Sequence, residues 1–470
     1  MSSFLLPISL LIKLIFTLES TSFLRYLGSN YYFSKIPIYI YIIFVIVSIF
    51  FGGYIKLKGL LSKKVIFFTI FILCLQYIAM SLSYLRIGES ILNLNLTKNY
   101  FNLIILTLVI FGHYLVVRMT IKNKSDINKF LSGYVITLFL LLMVSYIQLL
   151  YLFFPNVFSN AVNFMGIYLE EKNFGNIEYY ALGSYVQTLK RLNGFNSEAG
   201  YLASQLLIIF VPFLLSSIKN KNNIFLPKIK YSYLFLYIIL LLIIIILFFA
   251  KTTTGILAIG IIIISLWLIL PLKRKLIIFY VLLIFGAFSY FMYMTNSYVY
   301  EILNSFLFNK AGDSSANRAG GTLALIKTYF QNIVLGTGWN FHSYYLFKNV
   351  PYWATQNNEF MMWLNERHSY PILNLFFGIL SEFGTVSVLI ITIYVYRLLK
   401  FYKDLSEKVF FIDPEEYKFI ITIRDALKYY ISFAIIISLC SFYLWYSSMY
   451  LILFFFFIVL RQLLKEKYNE

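Results

Sequence analysis

The chain has 470 residues, 60% of them hydrophobic and 13% charged, with a formal net charge of +19 and a mean hydropathy of +0.79. A soluble protein of this size carries about a quarter charged residues, so a soluble globular domain is excluded. The positive balance invites a nucleic-acid reading, which the placement of the charges removes.

A bilayer core takes about 20 mostly apolar residues per helix, and about 12 such stretches follow one another. The first five cover residues 4–18, 37–53, 65–83, 101–117 and 130–154. Lys13 interrupts the first. The following Glu19-Ser20-Thr21-Ser22 lacks a small-x-small cleavage pattern, so that run reads as an uncleaved anchor. After a polar segment at 155–197 come runs at 198–218, 231–250, 254–271 and 276–293. A longer polar segment, 294–370, precedes the run at 371–396. Beyond a basic stretch at 397–428 lie two short runs, 429–443 and 446–460, close enough to form a helical hairpin. Apolar residues fill whole runs and do not alternate, which favours helices over a β-barrel. The expected fold is an all-α integral membrane protein with about 12 transmembrane helices. Residues 1–470 read as a single polytopic domain.

With the N-terminus placed in the cytoplasm, the loops alternate sides. The inside loops then collect most of the 39 basic residues, among them Lys56, Lys63, Arg118, Lys124, Lys219, Arg274 and the set from Arg397 to Lys428. This is the positive-inside pattern of a membrane protein, so no nucleic-acid partner is expected. Both termini are expected in the cytoplasm. Segments 155–197 and 294–370 fall outside and 397–428 inside. Cys74 and Cys440 lie within or beside apolar runs and imply neither a disulfide framework nor a metal site.

Loops longer than about 12–15 residues usually carry function or are disordered. The outside segments are rich in aromatics, including Trp339, Trp353 and Trp363, unlike disordered tails. Residues 318–332 read as an amphipathic helix with Leu323, Leu325, Ile326 and Phe330 on one face. Such a segment would fold back on the membrane surface and cap a cavity. Residues 415–428 read either as a basic amphipathic helix on the inner leaflet or as a solvated connector.

Three outside motifs carry chemistry. In Arg191-Leu192-Asn193-Gly194-Phe195-Asn196-Ser197-Glu198, the arginine can grip a phosphate bidentately. Gly194 permits a tight turn or close ligand approach, and Glu198 can accept a proton. The structural alternative makes Asn196 or Ser197 the cap of the next span, with Glu198 a first-turn acid and Arg191 an interfacial anchor. Lys251-Thr252-Thr253-Thr254-Gly255 forms a whole turn between spans, suited to an anion or simply to a helix cap. The second outside segment carries Arg318, then Gly336-Thr337-Gly338-Trp339, then Arg367-His368. His113 reads as a helix-packing histidine. His342 and His368 read by default as loop residues. No Asp-x-Asp, His-Glu-x-x-His, Gly-x-Ser-x-Gly or Walker loop is present, so a metal site, a serine hydrolase and an ATPase lose support. Few ionisable residues lie within spans, which speaks against coupled transport.

In this order the motifs resemble the O-antigen polymerase and O-antigen ligase superfamily of bacterial surface-polysaccharide enzymes. The resemblance covers roughly 185–395 and rests on four features: Arg191-x-x-Gly194-Phe195-x-x-Glu198 leading into a span, the Thr253-Thr254-Gly255-Ile256-Leu257-Ala258 turn, the segment from Arg318 to Gly336-Thr337-Gly338, and Leu380-Ser381-Glu382-Phe383-Gly384. It implies a metal-independent, inverting glycosyltransferase of the helical C type, needing no cofactor. The implied donor is a glycan on undecaprenyl pyrophosphate, presented on the outer face of the bacterial cytoplasmic membrane. Arg191 and Arg318 match the family's pyrophosphate-holding arginines, and Glu198 matches its acid. Ligase-like members carry His-Asn before the late span. Here the pair is Leu373-Asn374, with His368 five residues earlier, which points to a polymerase over a ligase.

The expected activity is therefore polymerisation of lipid-linked repeat units, with an O-antigen ligase and a lipid-linked oligosaccharide flippase as alternatives. Expected catalytic residues are Glu198 and His368. Arg191, Arg318 and Lys251 would bind the pyrophosphate, while Gly194, Gly336 and Gly338 shape the loops. A chain-length regulator is a candidate partner beside the bilayer and the lipid-linked substrate.

Overall fold

A computed structural model describes residues 3–11, 41, 43, 46–47, 62–88, 92, 94–172, 177–225, 232–296, 300, 312–440 and 449–468. Most of the expected span 37–53, Lys13, Lys56, and the stretch 301–311 of the long outside segment lie outside them. The described residues contain helices and no strand. They are α1 (Lys63–Ile87), α2 (Leu96–Thr120), α3 (Lys124–Phe153), α4 (Pro155–Tyr168), α5 (Tyr185–Leu189), α6 (Ala199–Lys219) and α7 (Ser232–Phe249). Next come α8 (Thr253–Ile269), α9 (Leu272–Thr295), α10 (Gly312–Gln331), α11 (His342–Asn349) and α12 (Asn358–Asn365). The last are α13 (Leu375–Val409), α14 (Pro414–Ser438) and α15 (Met449–Tyr468). Among the described residues five helices are long and apolar enough to cross a membrane: α1, α2, α3, α6 and α13. Shorter apolar helices run over Leu234–Phe249, Thr253–Ile269 and Met449–Leu464.

Of the expected run 4–18, residues 12–18 lie outside the described ones, and Leu6–Leu10 form a short 3₁₀ turn. It packs on α3 so closely that a side chain at Gly133 would collide with the Phe4 carbonyl. The core gathers around α6, which is almost wholly buried between α3, α7, α14 and α15. Tyr134 of α3 donates to the Ile209 carbonyl at 2.7 Å. That carbonyl sits in a π-type turn, Leu206–Phe210, just ahead of Pro212, which has no N–H to give.

The stretch 415–428 belongs to the continuous helix α14 and packs against the end of α6. Asp425 is buried there, 2.8 Å from the Lys219 ammonium and 3.7 Å from that of Lys428. Burial pushes the Asp425 carboxyl up, but Lys219, Arg424 and Lys428 outweigh it and hold it below the ordinary value. Residues 422–427 of this element are buried in the bundle.

Helix α10 covers the expected amphipathic segment with a different face inward. At about 100° per residue, Leu323, Ile326 and Phe330 share a stripe and Leu325 lies on the other side. Gly321, Ala324, Leu325 and Thr328 are buried, whereas Leu323 and Phe330 are exposed. The small residues win the inner face because the neighbours are close: a side chain at Gly320 would meet the Ala354 Cβ, and one at Gly321 the Tyr370 ring at 3.1 Å.

Two glycine-bearing segments cross where this cap meets the bundle. Helix α13 breaks at Gly384, which has φ 66° and ψ 173°. The loop Gly336–Gly338 lies against the break. Thr337 N–H donates to Ser381 O at 2.8 Å, Gly338 N–H to Glu382 O at 3.0 Å, and Thr385 N–H to Ile333 O at 2.7 Å. Both Gly336 and Gly338 have positive φ, and a Cβ at Gly336 would collide with the Glu382 carbonyl. The backbones approach this closely because neither position carries a side chain.

Candidate functional site

The Arg191–Glu198 loop is held from beneath by a buried polar network. Gln148, deep in α3, accepts the Gly194 N–H at 2.9 Å and the Asn193 N–H at 3.2 Å. Its amide donates to the Asn193 side chain at 2.9 Å and to Glu170 at 3.0 Å. Glu170 also accepts from the Ser184 hydroxyl at 2.6 Å and the Tyr185 N–H at 3.0 Å. Burial raises the Glu170 carboxyl above its usual value, against those hydrogen bonds. Gly194 takes φ 58°, and a side chain there would press on Leu141, Leu202 and Ser145. Tyr180 donates to the Ser197 carbonyl at 2.6 Å and closes the loop from above.

Glu198 itself occupies the cap position of α6, one residue later than the sequence alternative placed it, and its side chain makes no capping hydrogen bond to the helix. Both Arg191 and Glu198 are half-buried and lie within electrostatic reach of Tyr179 and Tyr185. Burial and then Glu198 push the Tyr185 phenol up to about 12.

Lys251 joins this group across the turn between α7 and α8. Burial, and then the Arg191 guanidinium, hold its ammonium below the ordinary lysine value. Thr252 caps α8 by accepting the Gly255 N–H at 3.0 Å. Leu192 N–H donates to the Phe249 carbonyl at 3.4 Å and ties the arginine loop to the end of α7.

Arg318 lies on α10. It donates to the Cys440 carbonyl at 3.4 Å, at the C-terminal end of α14, where the helix dipole favours a cation. Its neighbour Asn317 donates to Glu359 at 2.6 Å. Glu359 is in electrostatic reach of Tyr179. The structure thus groups Arg191, Glu198 and Lys251, and no contact joins Arg318 to them among the described residues.

His368 is elsewhere. It ends the α12 region with φ 49° and its Nδ1 lies 3.0 Å from Leu364 O. With His342, Lys98, Asn95, Asn340 and Ser369 it lines a polar cavity of about 320 Å³, whose walls include none of the Arg191 group. His342 is a residue whose role the sequence did not suggest. Its Nδ1 is 2.6 Å from Glu382 and its Nε2 is 3.1 Å from the Tyr370 carbonyl. Glu382 also accepts the Asn340 N–H at 2.8 Å. This pairing ties the glycine loop, α11 and the break in α13 into one block. His113, by contrast, is buried with Nδ1 2.8 Å from the Val109 carbonyl of its own helix.

An all-helical membrane protein with paired cations and a carboxylate at one end of its bundle is suited to hold an anionic substrate. Residues 238–392 match the family model described as O-antigen ligase, consistent with the O-antigen ligase and polymerase superfamily. The match supports a function of the O-antigen ligase or polymerase type and suggests a glycosyltransferase-like enzyme. It contains Lys251, Arg318, the glycine loop, His342, His368 and Glu382. Arg191 and Glu198 precede it. Comparison with curated proteins and with solved structures found no match.

Proposed function

We propose that this chain polymerises oligosaccharide repeat units carried on a polyprenyl pyrophosphate of the undecaprenyl type, without a metal. The acceptor hydroxyl attacks the anomeric carbon of the donor glycan. The bond from that carbon to the pyrophosphate breaks, and the lipid pyrophosphate leaves with the electron pair. Arg191, Lys251 and Arg318 stabilise the charge on the leaving group. Glu198, held among those cations, takes the acceptor proton, and His368 is the alternative base from the neighbouring cavity.

One observation carries this reading. The Lys251 ammonium is partly buried and in electrostatic reach of the Arg191 guanidinium, and burial and then that guanidinium lower its pKa. A cationic cluster of this kind suits the oxygens of a pyrophosphate.

The proposed arrangement has about 12 spans, cytoplasmic termini and the Arg191 site on the external face of the cytoplasmic membrane, where a chain-length regulator could dock. The O-antigen ligase description of the matching family favours ligation to a lipid-anchored acceptor as the second reading. Deleting the gene and resolving surface glycan and lipid-linked intermediates on a gel separates the cases. Polymerase loss leaves single repeat units displayed outside. Ligase loss leaves long chains on the polyprenyl carrier, and a flippase defect traps units inside. An unchanged ladder rejects all three.

A further inference from the structure

An apolar cavity lies at the end of α1 opposite the glycine loop Gly336–Gly338. At one end of α1, Ser83 donates to the Thr337 carbonyl at 2.7 Å and Arg86 to Asn332 at 3.1 Å, so that end meets the glycine loop. Ser62 and Val65, at the other end of α1, line a crevice of about 540 Å³ enclosed by α1, α2, α13 and α15. This end carries Lys63, Lys64, Arg118 and Arg461, the side that the positive-inside rule assigns to the cytoplasm.

The crevice walls are mostly apolar, with Phe111, Leu398, Leu453 and Phe457 among them. Two cations, Arg118 and Arg461, also line it, and among the described residues no carboxylate does. The Tyr114 phenol is in electrostatic reach of both guanidiniums, so they converge on one region. Their spacing is held by Gln462, which donates to the Ile121 carbonyl at 2.7 Å and locks the end of α2 onto α15. Among the described residues neither arginine forms an ion pair, whereas Lys219 and Lys428 nearby share Asp425. Convergent guanidiniums bind phosphate oxygens well, and basic pockets between helices on the cytoplasmic side suit anionic lipid headgroups.

We propose that this crevice is a binding site for an anionic phospholipid of the cytoplasmic leaflet, its acyl chain along the apolar walls and its headgroup phosphate between Arg118 and Arg461. The assignment stands apart from the glycosyl-transfer reading. A free phosphate would use the arginines but leave the apolar walls empty. A zwitterionic phospholipid would fill the walls without supplying net negative charge.

The test uses the full-length protein purified in mild detergent. Native mass spectrometry would read retained lipid as phosphatidylglycerol, phosphatidylcholine or inorganic phosphate is titrated. The wild type should retain phosphatidylglycerol in preference to phosphatidylcholine, and inorganic phosphate should not compete at equal concentration. Arg118→Gln and Arg461→Gln should each weaken retention roughly fivefold, and together roughly 30-fold. The Arg118→Lys/Arg461→Lys pair should keep the preference. Leu453→Trp, which fills the apolar wall and spares both arginines, should also release the lipid. Equal retention of both lipids, displacement by inorganic phosphate, or unchanged retention in the Gln variants would overturn the assignment.

Discussion

Gly384→Ala tests the crossing that joins the cap to the bundle. Gly384 has φ 66° and ψ 173°, a backbone region essentially reserved for glycine, where a side chain costs about 1–3 kcal/mol. A Cβ there would also lie 2.5 Å from Gly336 N, Leu335 C and Val334 O, all backbone atoms. Overpacking of this kind costs a further ~1–3 kcal/mol, because no flexible side chain can yield. The sum, about 2–6 kcal/mol, is a large share of a typical stability of about 5–15 kcal/mol. Thermal unfolding of the detergent-solubilised protein, followed by size-exclusion fluorescence, should show a marked fall in Tm. Polymer length should collapse as the glycine loop and Glu382 shift. Gly260→Ala and Gly286→Ala are the matched controls, since a Cβ at either meets nothing within 4 Å. They should leave Tm unchanged or raise it, because helix-interior glycine costs about 0.5–1 kcal/mol relative to alanine. A Gly384→Ala protein that melts with the wild type would refute the account of this crossing.

Gln148→Leu should destabilise the arginine loop by about 1–3 kcal/mol for each buried group left without a partner. The Asn193 and Gly194 N–H groups lose their acceptor. Calorimetry should register the loss, and an unchanged Tm would remove Gln148 as the anchor of that loop. For Lys251, the lowered pKa means that the ammonium gives up its proton earlier as pH rises. The alkaline limb of kcat/KM, which reports the free enzyme, should therefore lie below the ordinary lysine value of 10.5. Lys251→Arg keeps its charge throughout and should move the limb upward; an identical pH profile would exclude Lys251 from donor binding. Glu198→Gln should lower kcat by about 10²–10⁴, the usual contribution of a general base. His368→Ala should have the smaller effect, and the reverse ranking would transfer the base role to the second cavity.

The readable parts of this chain were those governed by short-range rules. Whole apolar runs announced helices, and a glycine within Gly-Thr-Gly or Asn-Gly-Phe announced a turn; Gly194, Gly336 and Gly338 all take positive φ. What escaped reading depended on partners far apart in sequence. Gln148 looks like one polar residue in an apolar run, yet it meets Asn193 and Gly194 across 45 and 46 residues. His342 meets Glu382 across 40. Gly384 is hidden because a glycine within a span is unremarkable until another backbone crosses it. The face of α10 was misread for a different reason. Leu323 and Phe330 are the larger hydrophobes, but close packing favoured Gly321 and Ala324 on the inner side. The Arg191 motif was legible as a polar interruption, while its nearness to Lys251 needed the ends of α7 and α8 to be placed in space.

The central claim is that Arg191 and Lys251 hold the pyrophosphate that leaves during glycosyl transfer. The direct measurement is turnover by the purified protein in vesicles supplied with a polyprenyl-pyrophosphate-linked repeat unit, counting product chains and released lipid pyrophosphate together. Wild type should release one lipid pyrophosphate for each linkage formed, with no added metal. Arg191→Ala, folded and equally abundant, should be slower by about 10²–10³, the loss seen when one well-placed charge-stabilising donor is removed. Full turnover by Arg191→Ala, or linkages formed without release of lipid pyrophosphate, would contradict it.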